Sequence, residues 1–209
     1  MKKTTSLIAT CSILCCSIAS ASSPWLIRLR GIDVMPRVSS STITVIGGAV
    51  TSISDSFVPE LDFSYFVTPN WSAELILATS RHSVKATGTA LGTINLGKVN
   101  ALPPTLTLQY RPIAGNIFNP YVGVGLNVTH FFNANSGPVA TAIHYTDSVG
   151  PALQFGIDFN INNNWSVNID AKKIYMQSDV TVFALNHQLN TTVNLNPWVI
   201  GGGIGYHFS

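Results

Sequence analysis

Residues 150–174 show the pattern on which the chain is built. Pro151, Leu153, Phe155, Ile157 and Phe159 fall at alternate positions, with Gln154, Gly156, Asp158 and Asn160 between them. A polar turn, Asn162-Asn163-Asn164, follows. Then Trp165, Val167, Ile169 and Ala171 alternate with Ser166, Asn168, Asp170 and Lys172. Successive side chains of a strand point to opposite faces, so this is a hairpin with one apolar and one polar face. Both strands are long, and the polar face carries charge at mid-strand. A sandwich strand averages about 5–6 residues. A transmembrane barrel strand needs roughly 9–11, apolar toward lipid and polar toward the lumen.

The pattern recurs along the chain. Strands are predicted at 25–34, at 57–67, from 71 onward through Leu77, at 102–112, around Tyr121 to Val128, in the two halves of the hairpin, and at 198–208. The connections alternate between long (35–56, 80–101, 131–147, 177–196) and short (68–70, 114–119, 162–164). An eight-stranded antiparallel transmembrane β-barrel with short periplasmic turns and long outer loops has this form, and an even strand count puts both termini on the periplasmic side. Trp25, Tyr65, Trp71, Tyr110, Phe159, Trp165, Tyr206 and Phe208 lie near short turns or chain ends, as one interfacial belt. Phe57, Phe131, Phe132, Tyr175 and Trp198 make a thinner belt at the other end. A soluble lipocalin-like or sandwich protein is the competing architecture; long strands with mid-strand charges disfavour it.

Composition sharpens this. Charged residues make up 10% of the chain, against about 25% in typical soluble domains. Residues 1–21 read as a signal peptide: Lys2 and Lys3, an apolar region over 7–18, and a small-residue cleavage site at Ala19-Ser20-Ala21. The apolar run is too short for a spanning helix, which needs roughly 20 residues. Cys15 and Cys16 lack the residue pattern expected before a lipidated cysteine. Residues 22–209 then form a single barrel domain. Cys11, Cys15 and Cys16 all precede the cleavage site, so the mature domain has no disulfide and no thiolate metal site. Loss of Lys2 and Lys3 takes the Lys and Arg count from 11 to 9, against 9 Asp and Glu. A neutral chain offers no electrostatic case for nucleic acid.

The inward charges are Arg28, Arg30, Glu60, Asp62, Glu74, Arg111, Asp158, Asp170 and Lys172. An eight-stranded barrel is only wide enough for side chains to fill, and buried charges must pair or reach water. These residues either plug the lumen as ion pairs or line a passage. The outer connections are unusually apolar: residues 39–54 carry no charge at all. Strands that continue above the membrane around a small hydrophobic pocket would explain this, with Ile43, Val45, Ile46, Val50, Val182, Phe183 and Leu185 as candidate pocket residues. Loops that merely pack on each other would explain it equally. Ser80, Ser83 and His82 near an outer strand end are a weak catalytic signal without a group to orient the imidazole. No catalytic, cofactor or metal site is expected.

The motifs Trp25-Leu26-Ile27-Arg28-Leu29-Arg30-Gly31, Pro59-Glu60-Leu61-Asp62, Ala73-Glu74-Leu75, Leu102-Pro103-Pro104-Thr105-Leu106 and Pro120-Tyr121-Val122-Gly123 resemble the OmpW family of small outer-membrane proteins. The resemblance covers nearly all of the mature chain. It implies an eight-stranded barrel of the Gram-negative outer membrane, with a hydrophobic channel that takes small apolar molecules inward and lets them leave sideways through the wall. The implied partners are outer-membrane lipid, a small hydrophobic ligand and the barrel-insertion machinery, which reads a terminal aromatic signal. Tyr206 and Phe208 are candidates for that signal, although Ser209 follows them. A surface-interaction barrel with a plugged lumen is the alternative.

Overall fold

The computed structural model describes residues 23–138, 140–184 and 187–208. The expected signal peptide, Leu185 and Ser209 lie outside the described residues. The first eight strands are β1 (Trp25–Met35), β2 (Ser39–Ser40), β3 (Ala49–Ile53), β4 (Ser56–Thr68), β5 (Trp71–Ala78), β6 (Ser80–Thr89), β7 (Gly92–Leu102) and β8 (Thr105–Tyr110). They are followed by β9 (Phe118–Ser136), β10 (Ala142–Tyr145), β11 (Ser148–Asn160), β12 (Trp165–Ile174), β13 (Gln177–Ala184), β14 (His187–Asn194) and β15 (Trp198–His207).

Eight of these close into an antiparallel barrel in the order β11-β12-β15-β1-β4-β5-β8-β9, with β9 pairing back onto β11. Period-two alternation fixes which side chains go where. Leu29, Leu106, Val124, Leu126 and Ile169 point outward and are each more than half exposed, while Arg28, Thr107, Asn127 and Asn168 on the same strands are buried inside. An apolar outer face with a polar inner one is the reverse of a soluble barrel and suits a lipid surround. At the short-turn end the aromatics pair around the wall: Trp25 with Tyr65 at 5.0 Å, Trp71 with Tyr110 at 4.9 Å, Phe118 with Phe159 at 5.6 Å and Trp165 with Tyr206 at 4.9 Å between ring centroids.

The long connections are themselves largely β structure. β3, β6 and β7 pair in series and join the upper part of β9, while β10, β13, β14 and β2 form a second sheet. Together they carry the wall beyond the barrel. Their inward residues are apolar at every second position, as with Val84 and Ala86, or Val180 and Val182, so each segment satisfies the strand period despite its distance from the membrane band. Strand pairing lapses at almost one level, at 36–38, 54–55, 79, 103–104, 146–147, 175–176 and 195–197, and β9 alone runs through that level unbroken. The strand predicted at 102–112 is split there: β7 ends at Leu102 and β8 begins at Thr105, because Pro103 and Pro104 have no N–H to give a ladder.

Val124 sits near the middle of the outward band. Val124→Arg is expected to cost roughly 2–4 kcal/mol of folding free energy in lipid vesicles, read from urea titration. The same change at exposed Thr51, in the extension, should cost little.

Candidate functional site

All nine inward charges predicted from the sequence meet in one network in the lower lumen. Arg28 grips Asp158 with two donors, Nε at 3.1 Å and Nη2 at 2.6 Å, and its Nη1 reaches Ser64 Oγ at 2.9 Å and Glu74. Arg30 Nε lies 2.7 Å from Asp62 and 3.0 Å from Glu60, and its Nη1 lies 3.3 Å from Asp170. Arg111 Nη2 lies 3.1 Å from Asp158. Lys172 Nζ joins Glu60 at 2.6 Å to Asp170 at 3.0 Å. None of these paired side chains is more than 3% exposed. Side chains therefore fill this part of the lumen, as an eight-stranded barrel requires.

Several members of the network were not singled out from the sequence. Tyr121 donates to Asp170 at 2.8 Å, Gln109 donates to Glu74 at 2.6 Å, and Gln154 donates to both Glu74 and Asp170 at 2.8 and 2.9 Å. The Arg111 guanidinium lies 4.7 Å from the centre of the Tyr121 ring. The signal for them was their place on the polar side of the alternation. The glycines opposite them make the room. A Cβ at Gly156 would collide with the Tyr121 ring, and one at Gly205 would press within 3.3 Å of Arg28 Cγ.

Above the network, at the level where strand pairing lapses, lies a largely apolar cavity of about 70 Å³. Its floor is Glu60 and Lys172. Ile32, Val34, Ile76, Ile174 and Val199 line it from the barrel, and Val50, Val84, Val99, Val180 and Val193 from the extension. His82 and Ser80 enter from one side. The His82 Nδ1 lies 2.6 Å from the Ser54 carbonyl and must donate to it, so Nε2 accepts from the Ser80 hydroxyl at 2.8 Å. The imidazole is thus oriented by a backbone carbonyl and not by a carboxylate. Burial holds its pKa below the ordinary 6.5.

The candidate pocket residues do not all reach this cavity. Val50 lines it; Ile43 and Val182 are buried in the apolar cluster that closes the extension, and Ile46 packs against that cluster. Val45 and Phe183 are corrections. Val45 occupies the tip of a tight turn with φ +70° and is 71% exposed. Phe183 follows inward Val182 on β13, so the strand period turns it outward. The sequence reading missed Ile76, Val99, Ile174 and Val199, which line the cavity from β5, β7, β12 and β15.

The wall beside the cavity carries a notch. β5 pairs with β8 up to Ile76 opposite Thr105, and β6 pairs with β7 from Ser80 opposite Ala101. The register is the same on both sides, yet the three intervening positions, 77–79 against 102–104, are unpaired. The prolines cannot donate; the Pro104 carbonyl continues the β8–β9 ladder, accepting from Val128 N at 3.0 Å, while the Pro103 carbonyl accepts from the Asn127 side chain, Nδ2, at 3.2 Å. Ala78, Ala101 and Pro103, at the notch, also line the cavity.

The OmpW family model matches residues 22–208. The chain belongs to the OmpW family. An uncharacterized outer-membrane protein, y4mB, of Sinorhizobium fredii is 40% identical over 91% of this chain and 82% of its own. The dibenzothiophene metabolism operon protein PahQ of Pseudomonas aeruginosa is 28% identical over the full length of both chains. The crystal structure of the outer-membrane protein OprG from Pseudomonas aeruginosa superposes with a TM-score of 0.81 at 26% identity, covering 90% of this chain and 97% of that one. As an OmpW-family barrel the protein resides in the outer membrane, and its apolar band meets lipid.

Two outcomes follow from this geometry. Arg28→Met leaves Glu74 and Asp158 buried without their main partner and is expected to cost roughly 3–5 kcal/mol in urea unfolding, with Arg28→Met/Asp158→Asn recovering part of the loss. The neutral His82 is favoured by the fold, so its contribution to stability is complete above about pH 6.5 and falls as the pH drops below that value. Unfolding titrations from pH 7.5 to 5.5 should show a larger loss for the parent than for His82→Gln.

Proposed function

We propose that this barrel takes small hydrophobic molecules from the outside, holds them in the cavity above the lumen network, and releases them sideways through the notch into the membrane. The notch beside an apolar cavity is the observation that carries the reading. Straight passage down the lumen is blocked by the buried charges, whereas the lateral way is lined by alanine and proline with three ladder positions missing. The name of the relative PahQ, tied to metabolism of an apolar aromatic compound, supports the same class of cargo. Transfer of this kind runs down a gradient, with no cofactor and no catalytic step. In this reading the short turns and both termini face the periplasm, residues 1–21 direct export, and the aromatic end at Tyr206 and Phe208 is what the insertion machinery reads.

The test couples binding to flux. A fluorescent apolar probe should bind the purified full chain saturably, and Val84→Asp, which puts a charge into the cavity wall, should abolish binding. Replacing Pro103 and Pro104 together with valine restores donors at the notch. That variant should keep probe binding but slow probe entry into cells about tenfold. Absence of saturable binding to the parent would overturn the proposal and favour a plugged barrel used for surface contact. Unchanged entry in the proline variant would remove the lateral route.

A further inference from the structure

The polar groups around the cavity are nearly all paired. Glu60 and Lys172 hold each other at 2.6 Å, His82 lies between the Ser54 carbonyl and Ser80, Thr129 donates to Asn127 at 2.7 Å, and Ser178 donates to the Thr146 carbonyl at 2.8 Å. Tyr145 is the exception. It lines the cavity, and its Oη is buried with no hydrogen-bond partner among the described residues. Among the side chains lining the cavity, it alone has such an orphaned buried polar atom among the described residues.

Its setting explains why nothing nearby satisfies it. Tyr145 stands at the end of β10 opposite Val180, packs against the apolar cluster of the extension, and lies ring to ring with Phe131 at 5.7 Å. A bridging water needs two to four polar partners, and these neighbours offer none. Burial raises the phenol pKa above its ordinary 10, so the group is an O–H donor at any physiological pH. A buried donor left unmade carries its full desolvation cost, and such groups in native proteins call for an explanation.

We infer that Tyr145 is the recognition group of the cavity, and that the preferred ligand is a small apolar molecule bearing one hydrogen-bond-accepting oxygen, such as an aryl ketone, in place of a pure hydrocarbon. The inference rests on the cavity being the binding site. Discrimination is then asymmetric. An apolar wall tolerates either molecule, and the hydrocarbon leaves the Tyr145 hydroxyl as unpaired as it is in the free protein, whereas an accepting oxygen gives it the hydrogen bond it lacks.

Acetophenone and ethylbenzene differ by a carbonyl in place of a methylene and are otherwise closely matched. Their affinities for the detergent-solubilised full chain are read by displacement of the apolar probe. Detergent partition is common to parent and variant, so the ratio of the two affinities compared between parent and Tyr145→Phe reports the hydroxyl alone. The parent is expected to favour acetophenone about tenfold more than Tyr145→Phe does, with ethylbenzene binding equal or tighter in the variant. An unchanged ratio while both compounds displace the probe overturns the role of Tyr145 and leaves the cavity as a binding site. No displacement by either compound from the parent removes the cavity reading, and this inference with it.

Discussion

The structure depends on one electrostatic constraint: charges enclosed by an apolar wall must be neutralised by each other. Arg28 and Arg30 stand on one strand, and their partners come from β4, β5, β11 and β12. A carboxylate or guanidinium in so dry a place, without its partner, is far costlier than any single packing contact. The barrel's width, its glycines and its register all serve that pairing. Gly205 lies opposite Arg28, and Gly203 opposite Arg30, so the last strand offers open floor where the first offers its bulkiest side chains.

From that closed floor the rest of the architecture follows. The space above the network is walled by aliphatic side chains, and the wall changes from barrel to extension around it. Prolines at 36, 103 and 197 mark the change. Because the ladder register is conserved across the prolines at 103 and 104, the notch is a local deletion of hydrogen bonds and not a misalignment of strands. The wall keeps its alignment across the gap: six flanking pairs below and the β6–β7 hairpin above hold the strands in line.

The barrel was legible because its signal is strict. Period-two alternation with charges on one face assigned every charged residue of the network, from Arg28 to Lys172, and the uncharged members joined them from the same face. The extension was only partly legible. Residues 80–101 read as a connection because Gly88, Gly92 and the polar Thr and Asn residues look like loop chemistry; in the fold the two glycines, at φ +69° and +76°, bend a hairpin. The cavity residues were misassigned for a different reason. Apolar composition of a segment does not give the phase of its alternation, so Val182 and Phe183 were grouped although neighbouring strand residues cannot face the same way. The notch lay in the Pro103-Pro104 pair, but its meaning needed the partner strand, which no local pattern supplies.

The seam between β1 and β15 joins the two ends of the chain through ten paired positions. Arg28 finds Asp158 after a separation of 130 residues, and Arg30 finds Asn168 after 138. During synthesis the strand bearing both arginines emerges first, Glu60, Asp62 and Glu74 follow soon after it, and Asp158 and Asp170 emerge late. The early strands thus hold three of the five carboxylates that meet Arg28 and Arg30, and the other two arrive only with β11 and β12. A barrel lacking its later strands would leave both arginines only partly paired beside lipid, at an electrostatic cost that the closed ring removes.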